Sequence, residues 1–252
     1  MSNDEPVDTW RLRDSGWESF RPELFLNEPG RQARDQSAFF LRLLADYGKG
    51  KQVLEICSGG GKLLIQLARA GYDMVGVDLN ASMLEICRRA VAMEPVEVQG
   101  RVRLVQGDMC AFELSQEFDW VILEDDAFTL PLTQEDQISC LRAIARHLKR
   151  DGYLILCCTT PQREIGTRGA QGYDPVCQIR TEQGEWAALD EGGNIRTIRE
   201  GFERRRLVYP NELELLLSIA GLEPVERWGD DTRCPFTDPA QQEYYYLIRR
   251  KP

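Results

Sequence analysis

Two acidic residues flank a run of glycines in the segment VLEICSGGGKLLIQLARAGYDMVGVDLN (residues 53–80). Glu55 lies just before the glycines at positions 59–61, and Asp78 ends the next apolar run. Glycines between a strand and a helix let backbone N–H groups approach a ligand. An acid at the end of the following strand can accept hydrogen bonds from both hydroxyls of a ribose. These residue types and their spacing indicate a nucleoside site.

The glycine pattern separates this site from two common nucleotide classes. The dinucleotide fingerprint G-x-G-x-x-G would need a third glycine at position 64, which is Leu64. The pattern G-x-x-x-x-G-K-[ST] of triphosphate-binding loops is absent from the sequence. The pattern therefore disfavours NAD and excludes a triphosphate loop.

Apolar runs alternate with helical periodicity over residues 49–160, which predicts the core that positions these acids. Five short apolar runs are typical of buried strands, and the segments between them have helical spacing, including a helix from Thr133 to about Gly152. Strands that alternate with helices predict a parallel sheet covered on both faces.

The segments on either side of this core have different patterns. Residues 1–48 combine an aromatic-rich stretch with an amphipathic segment, which predicts an N-terminal helical arm. Residues 161–209 alternate apolar and polar positions around glycine turns, as antiparallel insertions do. Residues 210–252 predict a closing helix and strands. We therefore expect a single domain over residues 1–252.

Charge argues against a nucleic-acid partner. The formal net charge is −10, whereas phosphate binding relies on dense Lys/Arg surfaces. The one dense basic run, ERRR (Glu203–Arg206), is interpreted as the solvated side of a strand or loop.

Cysteine and histidine usage argues against a metal site. The eight cysteines form no C-x-x-C pair, and a single histidine leaves no zinc-ligand spacing. The sequence has neither an apolar run of membrane-spanning length nor a basic-then-apolar leader. We therefore predict reduced thiols, no membrane partner and a cytoplasmic protein.

The run EICSGGG (residues 55–61) resembles motif I of the class I S-adenosylmethionine-dependent methyltransferases, [DE]-x-G-x-G-x-G, with Cys57 at the first small position. The resemblance continues through LARAGYDMVGVDLNASML, QGDM, EDDAF and LRAIARHLKRDGYLIL. It implies an α/β, Rossmann-like, seven-stranded, mostly parallel sheet with helices on both faces and an antiparallel β insertion after strand five. It also implies S-adenosyl-L-methionine as cofactor and S-adenosyl-L-homocysteine as product.

The resemblance further implies which residues bind the cofactor. Glu55 would hold the methionine ammonium, Asp78 the ribose hydroxyls and Asp108 the adenine amino group. Either Arg31 or Arg34 would pair with the methionine carboxylate, and the sequence does not separate the two. The full implied set is Arg31, Arg34, Glu55, Cys57, Gly59, Gly61, Asp78, Leu79, Asp108, Met109 and Glu124.

The candidate catalytic residues follow from what the acceptor atom requires. A neutral amine or ring nitrogen needs little beyond close, in-line placement, whereas a hydroxyl usually needs a base. The sole histidine, His147, lies on the helix before strand five, away from the ligand edge, and is predicted to be structural. Asp125, Asp126 or Tyr209 could accept a hydrogen bond or a proton from the substrate.

Aromatic residues in the arm and near the insertion predict the acceptor's shape. Stacked rings suit a flat apolar or heteroaromatic molecule, and the candidates for substrate contact are Trp10, Trp17, Phe20, Phe128 and Trp186. We therefore predict methylation of a small, planar acceptor, nitrogen favoured, in secondary metabolism such as antibiotic biosynthesis. N-methylation of a toxoflavin-like azapteridine is one example of such a reaction. We expect the protein to be a monomer or a homodimer.

Two alternatives stay open at this point. One is a small-molecule O-methyltransferase that uses a carboxylate or Tyr209 as base. The other is a non-catalytic subunit that binds S-adenosylmethionine.

Overall fold

A computed structural model describes residues 36–168, 172–189, 195–237, 241 and 243–252. In chain order the described strands are β1 (Gln52–Ile56), β2 (Asp73–Asp78), β3 (Val102–Gln106), β4 (Phe118–Leu123), β5 (Leu148–Thr159), β6 (Tyr173–Asp174), β7 (Ile179–Leu189), β8 (Ile195–Arg206), β9 (Leu222–Trp228) and β10 (Glu243–Arg250). The described helices are α1 (Ser37–Tyr47), α2 (Lys62–Arg69), α3 (Ala81–Ala92), α4 (Val96–Gln99), α5 (Gln134–His147), α6 (Pro161–Arg168) and α7 (Pro210–Ile219). Within these ranges no helix has the length and apolar character needed to cross a bilayer.

Seven strands form one sheet in the order β3-β2-β1-β4-β5-β10-β9. All neighbouring pairs are parallel except those of β10, which is antiparallel to β5 and β9. The predicted seven-stranded, mostly parallel sheet is confirmed. The chain runs outward to β3 on one side of β1 and resumes at β4 on the other side. Ligands bind beyond the carboxyl ends of the strands at such a switch point.

The sheet is buried on both faces because alternate side chains point to opposite sides. Val53 and Trp120 pack on one face with residues of α1 and α2, whereas Leu54 and Val121 pack on the other with residues of α5 and α7. All four side chains are fully buried. The predicted helices are therefore present on both faces, and the central strands are packed between them.

Polar side chains begin two of the helices near the ligand edge. The Asn80 side chain accepts hydrogen bonds from the N–H groups of Ser82 and Met83, 2.9 and 3.3 Å away, and so begins α3. Thr133 Oγ1 accepts from the Asp136 N–H at 3.1 Å and begins α5. These residues satisfy N–H groups that a helix start leaves without partners.

The end predicted for the helix from Thr133 is wrong. The helix ends at His147, and β5 begins at Leu148. Leu148 is fully buried and pairs with Phe118 of β4. Burial of this leucine in the sheet therefore outweighs the helix-ending signals that follow it.

The segment after β5 begins with a helix, α6, that its alternating pattern did not predict. Strands β6, β7 and β8 then form a separate antiparallel sheet, which confirms the predicted antiparallel insertion.

The interpretation of the ERRR run as a solvated face is wrong at its last two residues. The Arg205 and Arg206 side chains are only 16% and 4% exposed. Arg206 donates hydrogen bonds to Gln137 Oε1 on α5 at 2.6 Å and to Glu212 Oε1 on α7 at 2.6 Å. It also donates to Gln178 Oε1 at 2.8 Å. The end of β8 is thus anchored in the core rather than in solvent.

The Arg206 network reaches the segment that follows β4. Gln137 is fully buried, and its Nε2 donates to the Phe128 carbonyl at 3.2 Å. Burial alone would raise the pKa of Glu212, but hydrogen bonds from Gln134, Arg206 and Gln178 outweigh it and lower that pKa. The network therefore joins the small sheet to two core helices and to the ligand edge.

We expect Arg206→Met to lower the free energy of unfolding by about 3 kcal/mol, because it leaves the fully buried Gln137 and the partly buried Glu212 without their cation. Urea denaturation measures this change. Arg249→Met is the control, since its partner Glu223 lies in an exposed pair that contributes under about 1 kcal/mol. Equal losses in the two variants would contradict the importance of the network.

Candidate active site

The turn between β1 and α2 is held in a conformation that suits glycine. Gly59 and Gly61 have φ values of +53° and +79°, and Cys57 shares this left-handed region at +58°. The Ser58 N–H donates to the Val77 carbonyl at 3.2 Å, which ties the turn to β2. A Cβ on Gly61 would overlap Cys87 Sγ. Burial raises the pKa of Cys57, so this residue is a neutral thiol in the turn.

Asp78 braces the glycine turn from the end of β2. Its Oδ2 accepts from the Gly59 N–H and its Oδ1 from the Asn80 N–H, both at 2.8 Å. Burial raises the pKa of Asp78, and these two hydrogen bonds oppose that rise. Each carboxylate oxygen can accept a further hydrogen bond, so the arrangement suits the hydroxyls of a ribose. Leu79 follows, partly exposed.

The segment after β3 forms a compact turn around Asp108. Its Oδ1 accepts from the Cys110 N–H at 2.8 Å, and its carbonyl accepts from the Ala111 and Phe112 N–H groups. Asp108 is partly exposed, and Met109 packs beside the core. The turn thus places Asp108 and Met109 near Asp78 at the same edge of the sheet, where the resemblance implies the adenine.

Glu55 lies buried beneath the turn, only 3% exposed. Its carboxyl accepts a hydrogen bond from the Leu64 N–H in the first turn of α2, while its Oε2 has no hydrogen-bond partner in the described part of the chain. Burial, with Glu124 and Asp78 nearby, raises the pKa of Glu55 well above its usual range. A buried carboxylate among other acids fits a cationic ligand group. The ammonium and sulfonium of S-adenosylmethionine are such groups, so these residues fit that cofactor.

Glu124 follows β4 on the neighbouring side of β1. Burial and the nearby Asp125 raise its pKa to about 8, and Lys62 opposes this rise. Glu124 is therefore harder to ionise near neutral pH than an ordinary glutamic acid when no cationic ligand is present.

Asp125 and Asp126 both adopt left-handed conformations, with φ values of +51° and +61°. Each such residue costs on the order of 1 kcal/mol, so the surrounding structure must hold it there. Asp126 accepts hydrogen bonds from the backbone N–H of Thr159 and, at 2.6 Å, from its hydroxyl. Arg205 Nη1 lies 3.6 Å from Asp126 Oδ2. Asp126 is thus engaged by β5 and β8, while Asp125 is exposed.

The remaining acceptor-side candidates are dispersed. Tyr209 immediately precedes α7, is 36% exposed and forms a hydrogen bond with Tyr173 of β6. Phe128 is fully buried in the core, a position that favours packing. Trp186 lies on β7, but its side chain is outside the described part. Also outside it are Trp10, Trp17, Phe20, Arg31 and Arg34.

His147 is structural, as predicted. Its Nε2 accepts from the Leu114 N–H and its Nδ1 hydrogen bonds with the Ala143 carbonyl, both at 2.8 Å. The buried ring stacks on Phe112 with 4.6 Å between ring centroids. A ring with its proton on Nδ1 satisfies both partners, which is the arrangement of a structural residue.

Sequence reasoning missed Arg205 and Thr159, which hold Asp126. One signal for Arg205 was available. The apolar pair Leu207 and Val208 follows the basic run directly, and both residues are buried. A basic run that leads directly into buried residues is not expected to form a solvated face. Thr159 had no comparable signal, because its role depends on the pairing of β4 with β5.

The chain is similar to known methyltransferases in sequence and in fold. The sequence profile of a family described as a methyltransferase domain matches residues 53–152. The cypemycin N-terminal methyltransferase of a Streptomyces species is 35% identical over 213 residues, which cover 80% of this chain and 84% of that protein. A glycine/sarcosine N-methyltransferase from Parasynechococcus marenigrum is 27% identical over 238 residues, covering 86% and 80% of the two chains.

Among solved structures, the CcbJ methyltransferase from Streptomyces caelestis superposes with a TM-score of 0.77 at 26% identity. The superposition covers 92% of this chain and 96% of that one. The fold described above is therefore shared over nearly the whole length of both proteins.

We expect Asp78→Asn to weaken S-adenosylmethionine binding by about tenfold to a hundredfold, because charge-assisted hydrogen bonds to the ribose are lost. Isothermal titration calorimetry measures the dissociation constant. Asp73→Asn, at the other end of β2 in a surface pair with Arg101, is the matched control and should leave it unchanged. A similar affinity for both variants would refute the ribose role.

We expect Gly61→Ala to destabilise the protein by about 2 kcal/mol more than Gly48→Ala. Both glycines have positive φ, but a Cβ on Gly48 meets nothing within 4 Å. Adding Cys87→Ala to Gly61→Ala should recover part of the loss, because it removes the overlapping sulfur. Thermal unfolding and titration with S-adenosylmethionine follow both effects. A Gly61→Ala variant as stable as Gly48→Ala would show that the overlap relaxes freely.

Proposed function

We propose an acceptor class for this chain, which belongs to the class I S-adenosylmethionine-dependent methyltransferases. The chain is a methyltransferase that uses S-adenosylmethionine, and the proposed acceptor is a nitrogen atom of a small molecule. The observation that carries the proposal is the exposed Asp125 in the acidic segment after β4, in a chain whose one histidine is buried as a structural group.

An acidic edge suits an amine more than a hydroxyl. An amine arrives largely as its ammonium form, which carboxylates attract, and it must lose a proton before its lone pair is available. Asp125 accepts a hydrogen bond from the acceptor N–H and takes that proton. S-adenosylmethionine supplies an electrophilic methyl group, so a neutral nitrogen needs chiefly orientation.

Asp126 is a positioning residue in this proposal. Its carboxylate is shared between Thr159 and Arg205, which leaves it poorly placed to accept a proton from a substrate. By holding its own left-handed conformation, it holds the adjacent Asp125 at the exposed edge. Arg205, carried on β8, makes the insertion part of the acceptor site.

Two relatives that match most of the chain support nitrogen. The cypemycin enzyme is named for an N-terminal methylation, and the Parasynechococcus enzyme for the nitrogen of glycine and sarcosine. We extend the same acceptor atom to this chain, in secondary metabolism. A flat acceptor such as a toxoflavin-like azapteridine is supported by the sequence alone. Trp10, Trp17, Phe20 and the Trp186 side chain lie outside the described part of the chain, and Phe128 is buried in the core.

We expect N-methylated products when the protein is incubated with S-adenosylmethionine and a panel of amines, N-heterocycles, phenols and alcohols. S-adenosylhomocysteine formation measures turnover, and mass spectrometry locates the methyl group. Methylation at oxygen would favour the alternative with Tyr209 or a carboxylate as base. Binding of S-adenosylmethionine without turnover of any acceptor would favour a non-catalytic subunit.

With an accepted amine in hand, Asp125→Asn should lower kcat by about tenfold to a hundredfold. The dissociation constant of S-adenosylmethionine should change little. Asp151→Asn is the matched control, since Asp151 is 78% exposed in a surface pair with Lys49. Equal kcat values for the two variants would remove Asp125 from the mechanism.

A further inference from the structure

Three acids cluster at the carboxyl ends of three neighbouring strands. Glu55 on β1 pairs in register with Gly76 on β2 and Ile122 on β4. Asp78 and Glu124 lie two residues beyond those partners. Alternate residues of a strand share a face, and neighbouring strands lie about 4.8 Å apart. The three carboxyl groups therefore lie side by side at the methyltransferase's cofactor edge.

The protein compensates these acids unequally. Asp78 accepts two backbone hydrogen bonds. Glu55 accepts one, from Leu64, and faces the like charges of Glu124 and Asp78. Glu124 faces Glu55 and Asp125, and among the described residues Lys62 is the cation that acts on it. Of the three acids, Glu55 and Glu124 therefore have the fewest hydrogen bonds and opposite charges to stabilise both of them as carboxylates at once.

A buried Glu55 and a partly exposed Glu124 in this position do not both ionise readily when Lys62 is the one opposing charge among the described residues. The raised pKa values of Glu55 and Glu124 agree with this geometry. Such a pair titrates as a unit, so the proton belongs to the pair rather than to either residue.

We propose that Glu55 and Glu124 share one proton in the cofactor-free protein and release it to solvent when the cationic end of S-adenosylmethionine binds. The carboxylic acid becomes a carboxylate, and the ligand's ammonium and sulfonium charges take over the compensating role. Glu124 is thereby a second residue, beside Glu55, that recognises the charge of the cofactor.

This pair also distinguishes cofactor from product. S-adenosylhomocysteine retains the ammonium but lacks the sulfonium charge, so it stabilises the ionised pair less. The affinity for S-adenosylmethionine should therefore rise more steeply with pH than that for S-adenosylhomocysteine. Loss of the sulfonium charge during turnover then weakens the hold on the product.

The test is calorimetry with S-adenosylmethionine at about pH 6 and about pH 7, where its own ammonium stays charged. Repeating each titration in two buffers of different ionisation enthalpy counts the protons released. The wild type should release close to one proton and bind about tenfold more tightly at the higher pH. S-adenosylhomocysteine should show a smaller change over the same interval.

Glu124→Gln and Glu55→Gln should each lower the proton release by about half or more. Glu97→Gln, an exposed acid on α4, should match the wild type. Because Glu55 is fully buried and its variant could fail to fold, Glu124→Gln alone is sufficient to decide. Release below about 0.2 proton by the wild type, or unchanged release in Glu124→Gln, overturns the proposal. No acceptor enters these titrations, so their outcome is independent of the acceptor class.

Discussion

Burying carboxyl groups at the ends of parallel strands is costly, and the active edge is organised around how each of them is compensated. Asp78 receives N–H groups from the glycine turn and from Asn80. Asp126 accepts hydrogen bonds from the Thr159 N–H and hydroxyl and forms an ion pair with the Arg205 guanidinium. Glu55 receives a single N–H from α2. The well-compensated acids hold the backbone in place, and the poorly compensated ones are available to charged ligands.

The fold supplies these different environments through one topological feature. The chain leaves β1 on one side and returns at β4 on the other, so the strand ends meet without a connection crossing above them. The glycine turn places backbone N–H groups beside the end of β1, and the segment that follows β4 places carboxyl groups beside the end of β4. In the proposed assignment, Asp78 on the β1 side serves the cofactor, Glu124 after β4 serves its charged end, and Asp125 beside Glu124 serves the acceptor.

Local patterns predicted the parts of this site that local chemistry determines. The glycine turn, its acid at position 78 and the alternation of strands and helices follow from spacing alone. The end of α5 and the burial of Arg205 and Arg206 do not, because both depend on which residues a strand meets across the sheet. Leu148 belongs to β5 because it pairs with Phe118, and Arg206 is buried because it donates hydrogen bonds to Gln137 and Glu212. Pairing partners distant in sequence are invisible to periodicity.

The consecutive arginines of β8 point to opposite faces of its strand, and this has a consequence for exchanging insertions between relatives. Arg205 reaches the segment after β4, whereas Arg206 reaches α5 and α7. An insertion grafted from another protein would keep these contacts only if its side chains could bind Gln137, Glu212 and Asp126 as Arg205 and Arg206 do. The transferable module is therefore the small sheet together with these three core positions. Recombination between relatives would succeed at breakpoints that keep that set intact, and swapping the sheet alone would leave buried charges unpaired.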